Sequence, residues 1–297
     1  MKPSKILQKE TPKNKVDFLE EVEAGNTSTV YKINCRKKIY YLKMYTKGSA
    51  EIENFILKEL SKVTHVVPRV VGASDRNEKS FILLEEAVGE EIYKNTSNFA
   101  NRKLLNSFGK ELAKIHSIHT FQFGKIEKIQ NNMLFGTSIL QEKTISAEFR
   151  NDLITLLNFE LVDRHTVYFL EKIVLENLSL SITGNPRLAH ADLSMNHVFV
   201  QDNRVSGIID FGNARSSDIH YDFAIINLEW NCDINAIIEG YMLNNKNEFS
   251  IRKMNYFTIL AGVSRISWCL RDGMLSPNSK KWYLRMLGII KKSSLMI

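Results

Sequence analysis

No run of apolar residues in this 297-residue sequence approaches the roughly 20 that a membrane-spanning helix needs, so no membrane association is expected. The first residues, MKPSKILQKETPKNK, lack the apolar centre of a secretory signal, and a cytoplasmic protein is expected. Cysteine is scarce: Cys35, Cys232 and Cys269 are odd in number, far apart and without metal-ligand spacing. They read as reduced thiols in a reducing compartment, not as a disulfide framework. Internal repeats and low-complexity tracts are absent, and nothing signals an obligatory protein partner. A nucleic-acid motif is also missing. The net charge of +7 comes from Lys and Arg spread along the chain, so it reads as a solvated surface that also attracts a polyanionic nucleotide.

One local shortage is informative. Residues 216–245 contain no Lys or Arg, yet they hold Asp218, Asp222, Glu229, Asp233 and Glu239. An acidic stretch in a basic chain suggests a cationic second substrate, although any single member can equally be a helix cap or a surface charge. Glu229, Trp230 and Asp233 combine carboxylates with an aromatic ring, a mixture suited to an aminated sugar or another cation.

The segments that are present fall into a strand-rich first part and a helical remainder. Residues 1–16 are a polar, Lys-rich arm. Residues 22–31, VEAGNTSTVY, read as strand, tight loop and strand. The loop could lay backbone N–H groups and the hydroxyls of Thr27 and Ser28 over a phosphate, but it has one Gly and also fits an ordinary hairpin. In the alternating strand at residues 39–44, Lys43 interrupts apolar neighbours. A helix over 51–62 carries Ile52, Phe55, Ile56, Leu57 and Leu60 on one face, with Glu53 and Glu59 at its two edges. Either acid could pair with Lys43. Strands at 66–71 and 81–84 complete a sheet of about five, and the polar EEAVG at 85–89 marks a boundary. The division is therefore residues 1–87 and residues 88–297. Leu104, Phe108, Leu112 and Ile115 keep the helical period, ending at His116. Residues 120–145 are poorly periodic and are expected to form a substrate-facing loop. Helices follow at 147–160 and 166–180, a break at Thr183-Gly184-Asn185-Pro186, a helix opening at Tyr221, and closing helices at 248–272 and 276–295.

Residues 190–212, HADLSMNHVFVQDNRVSGIIDFG, organise the rest. Two β-branched runs, 198–200 and 205–209, flank the turn signal Asp202-Asn203, which makes a hairpin with a polar loop on each open end. The first loop carries Asp192 and His197 and the second carries Asp210. One carboxylate for an attacking hydroxyl and two ligands for Mg²⁺ suit phosphoryl transfer. Asn196 is the alternative ligand to His197, because imidazole is softer than the oxygen donors Mg²⁺ prefers.

This order, H-x-D-x-x-x-x-H, hairpin, then I-I-D-F-G, resembles the catalytic and metal loops of the aminoglycoside phosphotransferase family. Within it, the His at position 197 is similar to that of 2''-phosphotransferases and macrolide phosphotransferases. Ala191 stands where protein kinases have Arg. The resemblance implies a two-lobed α+β fold of protein-kinase type, with a small antiparallel-sheet N-lobe and a larger helical C-lobe. It also implies ATP or GTP as phosphate donor, with Mg²⁺. On this basis Asp192 orients the acceptor, and Lys43, braced by Glu53 in an E-x-x-x-L-x-x-L pattern, holds the phosphates. Ser28 lies in the phosphate loop, and the Glu85 carbonyl and Ala87 N–H meet the base. Asp222 resembles the family's buried loop-bracing aspartate, so it is either structural or a substrate ligand. The implied reaction is phosphorylation of an aminoglycoside hydroxyl, an antibiotic-resistance activity. Macrolides, amino alcohols or sugars are the alternative acceptors, and a non-catalytic kinase-like module is the alternative class.

Overall fold

The computed structural model describes residues 18–24, 28–35, 38–46, 50–76, 79–138, 141–181, 185–243, 249–274 and 279–297. The fold is α+β and comprises two compact units, Met1–Asn95 with Asn196–Gly212, and Thr96–Met195 with Asn213–Ile297. The arm at residues 1–16 and the loop tip at 25–27 lie outside the described residues.

In the first unit, strands β1 (Phe18–Ala24), β2 (Ser28–Cys35), β3 (Lys38–Tyr45), β4 (Val70–Arg76) and β5 (Lys79–Glu85) form an antiparallel sheet in the order β1-β2-β3-β5-β4. Alternation selects its inner face. Ile33, Leu42, Phe81 and Leu83 make one apolar cluster, with Tyr31, Tyr40, Met44 and Val71 packed on it. Each of these aliphatic and aromatic side chains contributes about 1.5–3 kcal/mol on full burial. The strand expected at 66–71 begins only at Val70, since Pro68 has no N–H for the ladder. Helix α1 (Ala50–Leu60) starts where Asp75 and Ser80 accept the N–H of Ala50 at 3.3 and 3.0 Å. A second, three-stranded sheet pairs β6 (Glu90–Glu91) with the hairpin β10 (Val198–Gln201) and β11 (Arg204–Ile208). Asp202 and Asn203 turn that hairpin with φ of 51° and 57°, the left-handed pair that a two-residue turn requires.

The second unit is mainly helical: α2 (Arg102–Ile115), α3 (Gln141–Asn158), α4 (Arg164–Glu176), α5 (His220–Glu229), α6 (Ile234–Met242), α7 (Ile251–Arg271) and α8 (Ser279–Ser294). Polar side chains start several of them. Asn101 accepts from Leu104 N, Asp163 from Thr166 N, and Ser250 from Lys253 N. Helices α2 and α6 cross at backbone contact through Gly109 and Gly240, where a Cβ would collide with the carbonyl oxygens of Ile237 and Asn106.

Residues 120–145 correct the loop expectation. They hold a hairpin, β7 (Phe123–Gln130) and β8 (Met133–Ser138), turned by Asn131 and Asn132 at φ 52° and 57°. This hairpin joins β9 (Arg187–Ala189) and β12 (Arg215–Ser217) in the order β8-β7-β12-β9. Among the described residues no helix is long and apolar enough to cross a membrane.

Candidate active site

Lys43 lies on the central strand β3, where its side chain would be costly to bury without partners. It is 7% exposed, and Nζ donates to Glu53 Oε2 at 3.0 Å and to Asp210 Oδ1 at 2.7 Å. Burial pushes the Lys43 pKa down, but the two carboxylates outweigh it and raise the pKa, so the ammonium persists. Tyr45 donates its hydroxyl to the same Glu53 oxygen and lays its ring under Lys43, 5.3 Å from Nζ to the centroid. Glu59, the other acid edging α1, pairs instead with Lys62 at 2.5 Å.

Asp210 and His197 come together because the hairpin ladder extends one step past its last strand pair: Ile209 N donates to His197 O at 3.0 Å. His197 Nε2 then lies 3.9 Å from Asp210 Oδ2, and Asn196 is exposed. Asp210 adopts φ 64°. At Gly212 a Cβ would sit 3.0 Å from Lys43 Nζ and 3.2 Å from Asp210 Oδ1, so side-chain bulk there would press on the ion pair. Ser28 is buried at the start of β2, in register with Tyr45. Glu85 ends β5 with its carboxylate paired to Arg69, and Ala87 follows against Gly207.

In the second unit, Asp192 follows β9. Its Oδ1 accepts from Arg265 Nη2 at 3.2 Å and its Oδ2 from Asn213 Nδ2 at 3.2 Å. Arg265 also donates from Nε to Glu229 Oε1 at 2.7 Å, so one guanidinium holds both carboxylates. Burial pushes Arg265 down and the two acids push it up further, leaving it firmly cationic. Asp222 is fully buried and accepts from His190 N at 2.8 Å and Ala191 N at 2.7 Å. Ala191 has φ 65°, so these bonds pin a sparsely populated backbone state immediately before Asp192. His116 Nε2 lies 3.0 Å from Asp222 Oδ2. Burial pushes the Asp222 carboxyl up, yet His116 and the loop N–H groups hold it below its ordinary value. Asp222 is therefore a brace for the loop.

Trp230 departs from the expectation of a ligand-facing ring. It is 3% exposed, stacked on Phe108 at 4.9 Å, with its indole N–H donated to Leu193 O at 2.8 Å. Asp233 caps α6 through Asn235 N at 3.1 Å and pairs with Arg102 at 2.9 Å. Arg265 and Asn213 escape sequence reading. The one available signal was Arg265 as a lone cation in the largely apolar run 254–270.

Among the described residues no group of three or more His, Cys, Asp or Glu could hold a metal by itself. Asp210 and His197 nevertheless fit a Mg²⁺ that draws its remaining ligands from phosphate and water, because Asp210 is 38% exposed and one of its oxygens faces the imidazole.

Residues 19–236 match the phosphotransferase enzyme family, APH. The chain belongs to that family. The phosphotransferase is thus an enzyme, a small-molecule kinase. It resembles a thermostable mutant of aminoglycoside phosphotransferase APH(4)-Ia in ternary complex with AMP-PNP and hygromycin B, at TM-score 0.73 and 15% identity over 98% of this chain and 96% of that one. A gentamicin complex of APH(2'')-IIa matches at TM-score 0.63 and 16% identity, covering 99% and 97%. A putative fructosamine-3-kinase from Thermobifida fusca YX-ER1 matches at TM-score 0.67 and 16% identity, covering 100% and 99%. At these identities the three likenesses speak for the fold.

Proposed function

We propose that the phosphotransferase moves the terminal phosphate of ATP or GTP to a hydroxyl group of a small molecule, with Mg²⁺. The observation that carries this reading is the Lys43 ammonium held between Glu53 and Asp210, with His197 beside Asp210. Lys43 binds the phosphates that stay on the nucleotide. Asp210 and His197 would hold Mg²⁺, which supplies charge neutralisation on the phosphates when bound. Asp192 accepts a hydrogen bond from the acceptor hydroxyl and takes its proton late, because a loose phosphoryl transition state needs alignment more than basicity. Asn213 and Arg265 are positioning residues that fix the Asp192 carboxylate.

The first acceptor reading is an aminoglycoside, supported by the family, by His197 and by similar structures that carry hygromycin B or gentamicin. A second reading, a hydroxylated metabolite that is not a polycation, is favoured by a specific observation. The acids of the 218–239 stretch already have partners: Asp218 has His220 and Lys253, Asp222 the loop and His116, Glu229 has Arg265, and Asp233 and Glu239 share Arg102. A coupled nucleotide-turnover assay with ATP and GTP in parallel, against aminoglycosides, macrolides, sugars and amino alcohols, tests the proposal. Acceptor-stimulated turnover that requires Mg²⁺ is expected. Nucleotide binding without turnover on any of these acceptors would reject all of these acceptor readings and leave an acceptor of another class or a non-catalytic module.

A further inference from the structure

The second unit contains a cavity of about 80 Å³ whose walls include Phe123, Phe149, Tyr221, Phe257 and Arg215. Arg215 opens β12, between β7 and β9, so its backbone is fixed on both sides. Its guanidinium lies 5.1 Å from the centre of the Tyr221 ring, and Nη1 donates to Tyr221 Oη at 3.2 Å. No carboxylate of the described residues makes an ion pair with it. Two carboxylates share the wall: Asp152 is taken by Arg271 at 2.8 Å, and Glu148, exposed on α3, acts on Arg215 at longer range without an ion pair. A half-buried guanidinium with five N–H donors, one phenol oxygen and one ring face is a charge without a hydrogen-bonded counter-ion. An oxyanion is the group whose geometry completes it.

The cavity is continuous in sequence with the groups that hold Asp192. Ser264 lines it and precedes Arg265, Asn213 lies two residues before Arg215, and Tyr221 acts electrostatically on both arginines. The cavity therefore offers a guanidinium with donors to spare, against one wall carboxylate, Glu148, that makes no ion pair with it. We infer that the cavity seats an oxyanion, carboxylate or phosphate, carried by the hydroxylated acceptor, with Arg215 as its fixed counter-ion. The identity of the anion's bearer rests on the phosphotransfer reading; the anion site does not.

The test is calorimetric titration of the full-length protein, saturated with ADP and Mg²⁺, with gluconate, glucose 6-phosphate and inorganic phosphate. Glucitol serves as the uncharged control and hygromycin B as the polycation. At least one oxyanion is expected to bind tenfold or more tightly than glucitol, and the preference between gluconate and the phosphates names the group. Arg215→Met should weaken that binding about tenfold to a hundredfold, the range for a charge-assisted hydrogen-bond pair. Arg215→Lys should recover part of it, with ADP affinity unchanged in both variants. Oxyanions that bind no better than glucitol overturn the inference in the wild-type protein alone, with no reliance on a variant folding. So does tighter binding of hygromycin B than of every oxyanion, or binding that Arg215→Met leaves intact. Failure of ADP to bind would sink the nucleotide reading instead. The oxyanion titrations would then be read on the Lys43→Met protein, where the other cationic site is gone.

Discussion

Asp192 is held by two donors, Arg265 and Asn213, and a group fixed this way acts through its position as much as its charge. Asp192→Asn keeps the shape and removes the proton acceptor, so turnover should fall about a hundredfold or more. Steady-state assay beside ADP titration checks this, and a parallel loss of ADP affinity would point to a structural role. Asp222 supports a prediction about acid. Its folded-state pKa lies below the ordinary 3.8, so its stabilisation is fully present above that value and is lost as pH falls through the depressed one. Asp222→Asn should destabilise the protein by about 3–5 kcal/mol at neutral pH, the cost of breaking a buried pair, and flatten the acid limb of stability against pH. Urea unfolding across a pH series reads both, and acid limbs of equal slope would refute the assignment. Burial, with a smaller push from Asp233, raises the Cys232 thiol to about 12. At pH 8 its thiolate fraction is then on the order of one in ten thousand, so iodoacetamide should label it far more slowly than a model thiol in a mass-spectrometric time course.

Helices α2 and α6 touch along their backbones because both contacting positions are glycine. Gly109→Ala forces them apart and should destabilise the protein by about 1–3 kcal/mol, read as a lower urea midpoint at unchanged slope. A neutral effect would mean the helices can slide without loss. Elements were legible where one face is buried. The alternation of β3 and the 3.6-residue period of α2 identify themselves, and Asp202-Asn203 declares its hairpin. The hairpin Phe123–Ser138 was hidden because only Ile126 on its first strand is buried, so alternation leaves no trace, and Asn131-Asn132 was the remaining signal. Among the site residues, Asp192, His197 and Asp210 could be named because one short segment carries them. The choice between Glu53 and Glu59 was beyond helical geometry; the family resemblance favoured Glu53, and the sheet that orients Lys43 brings the two together. Arg265 meets Asp192 across 73 residues, a distance that no local pattern spans. The pairing of the acidic stretch was hidden for the same reason, since its counter-charges Arg102, Lys253 and Arg265 all lie outside it.

For the whole molecule, the net charge of +7 coexists with paired charges in each unit: Lys43 in the first and Arg265 in the second each sit against two acids. Nucleotide binding should therefore register as global stabilisation. Saturation with ADP and Mg²⁺ at a hundred times Kd should add about 2.7 kcal/mol. Lys43→Met should abolish most of the resulting rise in Tm, and chelation of Mg²⁺ should reduce it. A variant that keeps the full rise would place the nucleotide elsewhere.

The first unit is assembled from two stretches of chain, Met1–Asn95 and Asn196–Gly212, and its charged group needs both, since Lys43 and Glu53 come from one and Asp210 and His197 from the other. A single genetic crossover near residue 95 would graft a foreign partner onto Lys43 while discarding Asp210. Exchange of this first unit between related genes thus demands a double crossover that carries the short hairpin along. Recombination libraries built on this chain should recover active chimeras only when those two stretches share a parent or their contacts are matched.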